Sequence, residues 1–193
     1  SGEILYQGRE ITKFNVQDIK NIGIHRSFQI PQVFENLGVL ENIIITELVA
    51  NKKQHSFFEE AYTKENYDNA KNLLQKFSLD EAKVRDKLVK ELPQGARKIL
   101  DILLAIIGMP KVILLDEPTS GISTEEKNIV MTNILKAIKE FNISVLFIEH
   151  DMEIVEHFSD RVVAFYNGEI IADGNPKEVF KQKNVQKYIV GSS

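Results

Sequence analysis

The hydrophobic rhythm of the chain changes several times. Glu3-Ile-Leu-Tyr6 and Arg9-Glu-Ile-Thr12 flank the turn pair Gln7-Gly8, which predicts two short strands around a turn. Ile22 to Phe28 is a mixed apolar and polar run compatible with a strand, and Pro31 stops regular structure just beyond it. From about Gly38 to Leu92 the spacing becomes helical. Leu40, Ile43, Ile44 and Leu48 share one face, and Phe57 to Phe77 carries Ala61, Ala70, Leu73, Leu74 and Phe77 as its apolar side. Ser78-Leu-Asp-Glu81 has capping-box spacing, in which a serine oxygen and a glutamate three residues later satisfy free backbone donors.

The remainder alternates strands and helices. Gly95 to Gly108 reads as a helix that is apolar on most faces. Val112-Ile-Leu-Leu115 runs into Asp116-Glu117-Pro118, the pattern of a strand buried on both faces. Ser123-Thr-Glu-Glu126 is a second capping box, opening a helix to about Phe141, and Ser144 to Glu149 reads as the next buried strand. Strand, helix and strand at this spacing predict a parallel α/β unit. Asn167-Gly168 between two apolar runs predicts a hairpin, and Asn175-Pro176 predicts the start of a last helix reaching about Tyr188. The whole, residues 1–193, reads as one α/β domain: a helical subdomain inserted at about 38–92, then an α/β part over 93–193.

Composition narrows the function. The 193 residues carry 24 basic and 28 acidic side chains, a formal charge of −4, which speaks against a nucleic-acid partner. The absence of cysteine excludes disulfide scaffolds, thiol nucleophiles and zinc–cysteine sites. The longest apolar stretch, Ile102 to Met109, is far short of the ~20 residues that cross a bilayer, so a membrane role requires a partner.

Chemistry concentrates at two strand ends. Asp116 and Glu117 fall at the carboxyl edge of a strand, where open α/β sheets bind ligands. Asp116 suits holding a magnesium ion through water, and Glu117 suits polarising an attacking water. Edge solvation explains two adjacent acids equally well. His150, after the next strand, could hydrogen-bond a phosphate oxygen, or simply cap a strand or helix. Gln29 follows a third strand and precedes the helical block, which would let it report between the site and that subdomain; a solvated glutamine is the plainer alternative. A divalent-metal hydrolytic site built from Glu149, His150, Asp151 and Asp116 meets a geometric objection, since adjacent strand residues point to opposite faces.

Asp116-Glu-Pro-Thr-Ser-Gly121 after an apolar strand, followed by Ile148-Glu-His-Asp-Met152, resembles the nucleotide-binding subunit of an ATP-binding cassette (ABC) transporter, whose fold is that of a P-loop NTPase with an inserted helical subdomain. The resemblance runs from Ser1 to about Gly191. It implies that Asp116 is the Walker B aspartate and magnesium ligand, Glu117 the catalytic glutamate and His150 the switch histidine. It further implies that Gln29 is the Q-loop residue touching nucleotide and metal, that Gly95 belongs to the signature motif, and that Ser123 belongs to the D-loop. Gly23-Ile-His-Arg-Ser-Phe-Gln29, Pro31-Gln-Val-Phe34, Val39-Leu-Glu-Asn42 and Ala172-Asp-Gly-Asn-Pro-Lys-Glu-Val179 are similar to the branched-chain amino-acid importer ATPases. ATP and Mg as cofactors, a second ABC ATPase subunit and transmembrane permease subunits as partners, and a cytoplasmic location at the inner face of the membrane are what this resemblance implies.

The sequence also departs from the family. None of the ten glycines is followed by lysine, so the phosphate-cradling G-x-x-x-x-G-K-[ST] loop is not among these residues. The family places it upstream of the segment matching Ser1-Gly2. These 193 residues alone are therefore expected not to hold Mg-ATP tightly, to be inactive by themselves, and to self-associate through an exposed apolar edge. The signature motif reads Leu92-Pro-Gln-Gly-Ala96, where Pro93 replaces the family's serine, and Ser123 replaces the usual aspartate or asparagine. A catalytically degenerate subunit that scaffolds or regulates an active partner is the alternative these departures raise.

Overall fold

The structure is a computed structural model that describes residues 2–27, 33–50, 63–79 and 82–191. Two compact units divide the chain, Ser1–Ile148 and Glu149–Ser193.

The first unit opens with the expected hairpin: β1 (Leu5–Tyr6) pairs antiparallel with β2 (Arg9–Glu10). The connecting residues Gln7 and Gly8 both have positive φ, 51° and 77°, which matches the right-handed twist of the strands. Helix α1 (Val16–Asn21), absent from the hydrophobic pattern, follows. Its N-cap Asn15 accepts a hydrogen bond from the Asp18 amide at 2.9 Å, and none of its residues is buried. A single exposed turn set by its cap leaves no apolar stripe to read.

Three parallel strands form the central sheet: β3 (Ile24–Arg26), β4 (Val112–Asp116) and β5 (Ser144–Ile148), with β4 in the middle. Helices α5 (Gln94–Ile106) and α6 (Thr124–Glu140) cover one face. Ile113 and Leu115 of β4 and Val145 and Phe147 of β5 pack there with Ile99, Leu100, Ile102, Leu103 and Ile106 of α5 and Val130, Ile134, Ala137 and Ile138 of α6. Complete burial of one such aliphatic side chain contributes about 1.5–3 kcal/mol.

The other sheet face differs from the expected pair of strands buried on both sides. β4 alternates buried with half-buried residues, and β5 leaves Leu146 and Ile148 58% and 56% exposed. The helical layer takes only every second residue of a strand, and β5 has β4 as its one partner among the described residues.

Helices α2 (Val39–Ala50), α3 (Lys64–Lys76) and α4 (Ala82–Arg85), with a 3-10 turn at Val89–Glu91, lie between β3 and α5 in sequence. Thr63 caps α3, accepting from the Asn66 amide at 3.2 Å; the expected helical residues 57–62 lie outside the described residues. Ser78 does not cap the next helix. It ends α3 in the left-handed region at φ 56°, its amide donating to Gln75 O and that of Leu79 to Leu74 O. An N-cap requires extended backbone, and buried Phe77 and Leu79 on either side fix the reversal instead. Glu81, the other half of that expected box, is outside the described residues.

The second unit contains α7 (Met152–Phe158), the hairpin β6 (Val162–Tyr166) and β7 (Glu169–Gly174), and α8 (Pro176–Val179) and α9 (Lys183–Val185). Asn167 and Gly168 make the predicted turn with φ 51° and 81°. Asn175 caps α8 through the Lys177 amide at 3.1 Å, as its position before Pro176 suggests. The expected single last helix is broken. Gln182 is extended at ψ 134°, so Val179 and Val185 both reach the small core formed with Ala164 and Ala172.

Candidate functional site

Asp116 closes β4, opposite Ile148 of β5 in the parallel register. The next residue, Glu117, takes φ 47°, a left-handed conformation that side-chain-bearing residues adopt sparingly, at a cost of order 1–3 kcal/mol. Its amide donates to Ile148 O at 2.9 Å and its carbonyl accepts from the Ser120 amide at 3.0 Å. The adjacent strand end and the following turn thereby hold the strained residue. This turn directs two successive half-buried carboxylates to the carboxyl edge of the sheet. The Arg26 guanidinium of β3 donates to Asp116 Oδ2 at 2.6 Å. The register explains the pair: Arg26 lies opposite Leu114, and Asp116 is the next β4 residue on the same face. Sequence reading missed Arg26, although its place in the quoted Gly23–Gln29 run and the parity of the two strands were available.

Gly95 sits in the first turn of α5, buried against α6; a Cβ there would lie 3.2 Å from Val130 Cγ2. Pro93 is the N-cap and provides no side-chain cap bond; its carbonyl accepts from the Arg97 amide. The first amides of a helix have no intrahelical partner and point along its positive dipole end, so this turn is chemically suited to an anion. Gln94, also missed from sequence, lies over the turn that carries Gly121. A Cβ on Gly121, at φ 74°, would come within 2.2 Å of Gln94 Nε2. The start of α5 and the segment leading to Ser123 are thus in contact.

Ser123 is exposed at the head of α6. Its hydroxyl donates to Glu126 Oε2 at 3.0 Å, whereas the expected capping box would have bonded it to a backbone amide.

Gln29 lies outside the described residues, but the segment after it is tied to the start of α5. The amides of Val89 and Lys90 donate to Leu37 O and Glu35 O, each at 3.0 Å. Arg97 donates to the carbonyls of Leu92 and Lys90 and faces Glu35 at 3.5 Å. Buried Asn42 fixes the same segment through Phe34 N, Phe34 O and Gly38 O. Residues 35–37 and 89–97, distant in sequence, are linked here by the two backbone hydrogen bonds and the Arg97–Glu35 contact, none of which periodicity can show.

In the second unit His150 is exposed, its amide donating to Glu149 Oε2 at 3.3 Å. Asp151 caps α7 through the amides of Glu153 and Ile154. No cluster of three or more His, Cys, Asp or Glu suited to a metal occurs among the described residues. One carboxylate at Asp116 does fit magnesium, which commonly uses one or two carboxylates together with substrate phosphates and waters.

A parallel sheet with helices packed on it and two acids at its carboxyl edge defines an α/β fold of the class that binds ligands at that edge. The comparisons with known proteins make this specific. A family model described as ABC transporter matches residues 1–120, and the chain belongs to that family. It is 29% identical to the high-affinity branched-chain amino acid transport ATP-binding protein BraF of Pseudomonas aeruginosa, over all of this chain and 77% of that protein. It is 27% identical to the LivG protein of the same description from Escherichia coli, again over all of this chain and 77% of the other. The ADP conformation of MJ1267, an ATP-binding cassette of an ABC transporter, superposes with a TM-score of 0.79 at 27% identity, covering all of this chain and 78% of that one. CbiO1 of Clostridium perfringens, part of the transporter complex cbiONQ, gives 0.75 at 28% identity, covering 97% of this chain and 71% of that one. The fold is that of an ABC ATPase cassette. No described helix is long and apolar enough to cross a membrane.

Proposed function

We propose that the chain serves as an ATP-hydrolysing subunit of an ABC importer for branched-chain amino acids, contributing the Walker B, signature and switch elements of a site shared between two ATPase subunits. The observation that carries this reading is the turn at Asp116-Glu117: two acids at the carboxyl edge of the central strand, the second held in a strained conformation. The family membership and the names of the relatives support it.

Asp116 would hold magnesium, and magnesium, when bound, neutralises charge on the terminal phosphates of ATP. Glu117 accepts a proton from the attacking water and orients it. His150 donates to a phosphate oxygen as charge develops there. The first turn of α5 at Gly95 faces the nucleotide held by the opposite subunit, Ser123 lies where the subunits meet, and Gln29 contacts the nucleotide and its metal. The helical block over 38–92 passes closure of the pair to a permease in the membrane, with the chain bound at its cytoplasmic face. The backbone bonds joining residues 35–37 to Val89 and Lys90, and the Arg97–Glu35 contact, support mechanical coupling between that segment and the start of α5. The test is ATP turnover by the natural gene product that carries these residues, assembled with its permease: Glu117→Gln is expected to lower it by about 10²–10⁴-fold, the range of a general base. An unchanged rate contradicts the assignment.

A second reading is favoured by Pro93 and by Ser123. The proline cap has no hydroxyl to offer a phosphate, and the Ser123 hydroxyl is engaged by Glu126. A subunit that scaffolds or regulates an active partner would have this form. Pro93→Ser discriminates: a gain in turnover by the assembled pair supports a catalytic subunit with a weakened signature, and no gain supports the scaffold.

A further inference from the structure

Arg26 belongs to no catalytic role assigned above, yet it makes a short contact to the acid that the proposed reaction needs. Its guanidinium donates to Asp116 Oδ2 at 2.6 Å across two neighbouring strands, the side chains being 58% and 30% exposed. Strand parity places them on the same face, the one that α5 and α6 leave uncovered. Asp116 is followed at once by a second carboxylate, Glu117, so an unneutralised pair would repel at this strand end.

We propose that Arg26 is the resting counter-charge of Asp116, a positioning residue that a divalent cation must displace to reach the carboxylate. The inference rests on the reading of Asp116 as the cation ligand. A guanidinium and a hard divalent cation both seek the carboxylate oxygens, and a donor held at Oδ2 opposes entry of the ion. The guanidinium is a permanent cation, so the exchange is one cation for another. Because exposed ion pairs are weak and are screened by salt, Arg26 opposes the ion modestly and reversibly, and it holds Asp116 in one orientation meanwhile.

The experiment titrates Mn²⁺, with ADP present, into the natural gene product that carries these residues and follows the paramagnetic broadening of the Asp116 and Glu117 amide resonances, a readout independent of turnover. Arg26→Gln is expected to lower the half-saturating Mn²⁺ concentration about two- to five-fold, the scale of an exposed ion pair. Arg26→Lys, which retains the charge, is expected to stay closer to the parent. Equal half-saturation in the parent and in Arg26→Gln overturns the role of Arg26. Asp116→Asn separates the two failures: it should abolish the local broadening, and if it does not, or if neither the parent nor Arg26→Gln shows any, the reading of Asp116 as the ligand fails. Both Arg26 variants alter an exposed side chain, so their amide spectra in the absence of Mn²⁺ should remain those of the folded parent.

Discussion

The two faces of the three-stranded sheet are made of the same strands and serve different ends. On one, Ile113, Leu115, Val145 and Phe147 meet α5 and α6 in a continuous apolar layer. On the other, Leu146 and Ile148 are exposed, and the most specific interaction is the Arg26–Asp116 ion pair. Alternation along a strand lets one sequence write both: odd and even positions are nearly independent. Within these 193 residues, substitutions on the packed face should therefore change stability more than substitutions at the exposed positions.

The largest expected effect tests that division directly. Ile113→Ala removes a fully buried side chain and should cost about 2–5 kcal/mol in a denaturant titration, whereas Leu146→Ala, at a 58% exposed position, should stay within about 0.5 kcal/mol. Comparable losses would erase the distinction between the faces. Next is Gly108→Ala beyond the end of α5. Its Cβ would lie 2.8 Å from Cε1 of His25, a packed-face residue whose Nδ1 is 2.7 Å from Ala105 O. Overpacking there should cost about 1–3 kcal/mol, read as a lower denaturation midpoint. Gly121→Ala forces a side chain into a left-handed position and against Gln94, with an expected cost of about 1–2 kcal/mol and loss of the contact between the start of α5 and the Ser123 turn, visible as amide shifts at both.

On the open face Arg26→Gln should change stability by under about 1 kcal/mol, since exposed ion pairs contribute little. The smallest effect lies away from the sheet. Burial raises the pKa of Glu47 in α2 above its ordinary 4.5. The folded state then holds this proton after the unfolded state has released it, so stability falls as the pH rises from about the ordinary value through the raised one. Glu47→Gln should flatten that segment of the stability-against-pH curve, measured by denaturation at a series of pH values.

How much was legible follows from the same distinction. The strand order, helices α2, α3, α5 and α6, both glycine turns and the Asp116-Glu117 strand end were readable because local chemistry sets them: turn residues, caps and a buried apolar run; the short helices α1 and α7 were not. Strand exposure was misjudged because Ser144–Ile148 is apolar at most positions whether one face or two are covered. Ser78 misled because the capping-box spacing also suits a residue that ends a helix when buried neighbours demand the reversal. Arg26, Gln94 and Arg97 were missed since their partners lie in other segments, and pairing across segments leaves no periodic trace.

The central claim is that Glu117 does the chemistry at the end of β4. The most direct measurement is the ATP turnover of the natural gene product, assembled with its permease, with Glu117 intact and replaced by glutamine. A fall of about 10²–10⁴-fold with nucleotide binding retained is the expected result. Turnover that persists in Glu117→Gln, or its absence from the unaltered assembly, would contradict it.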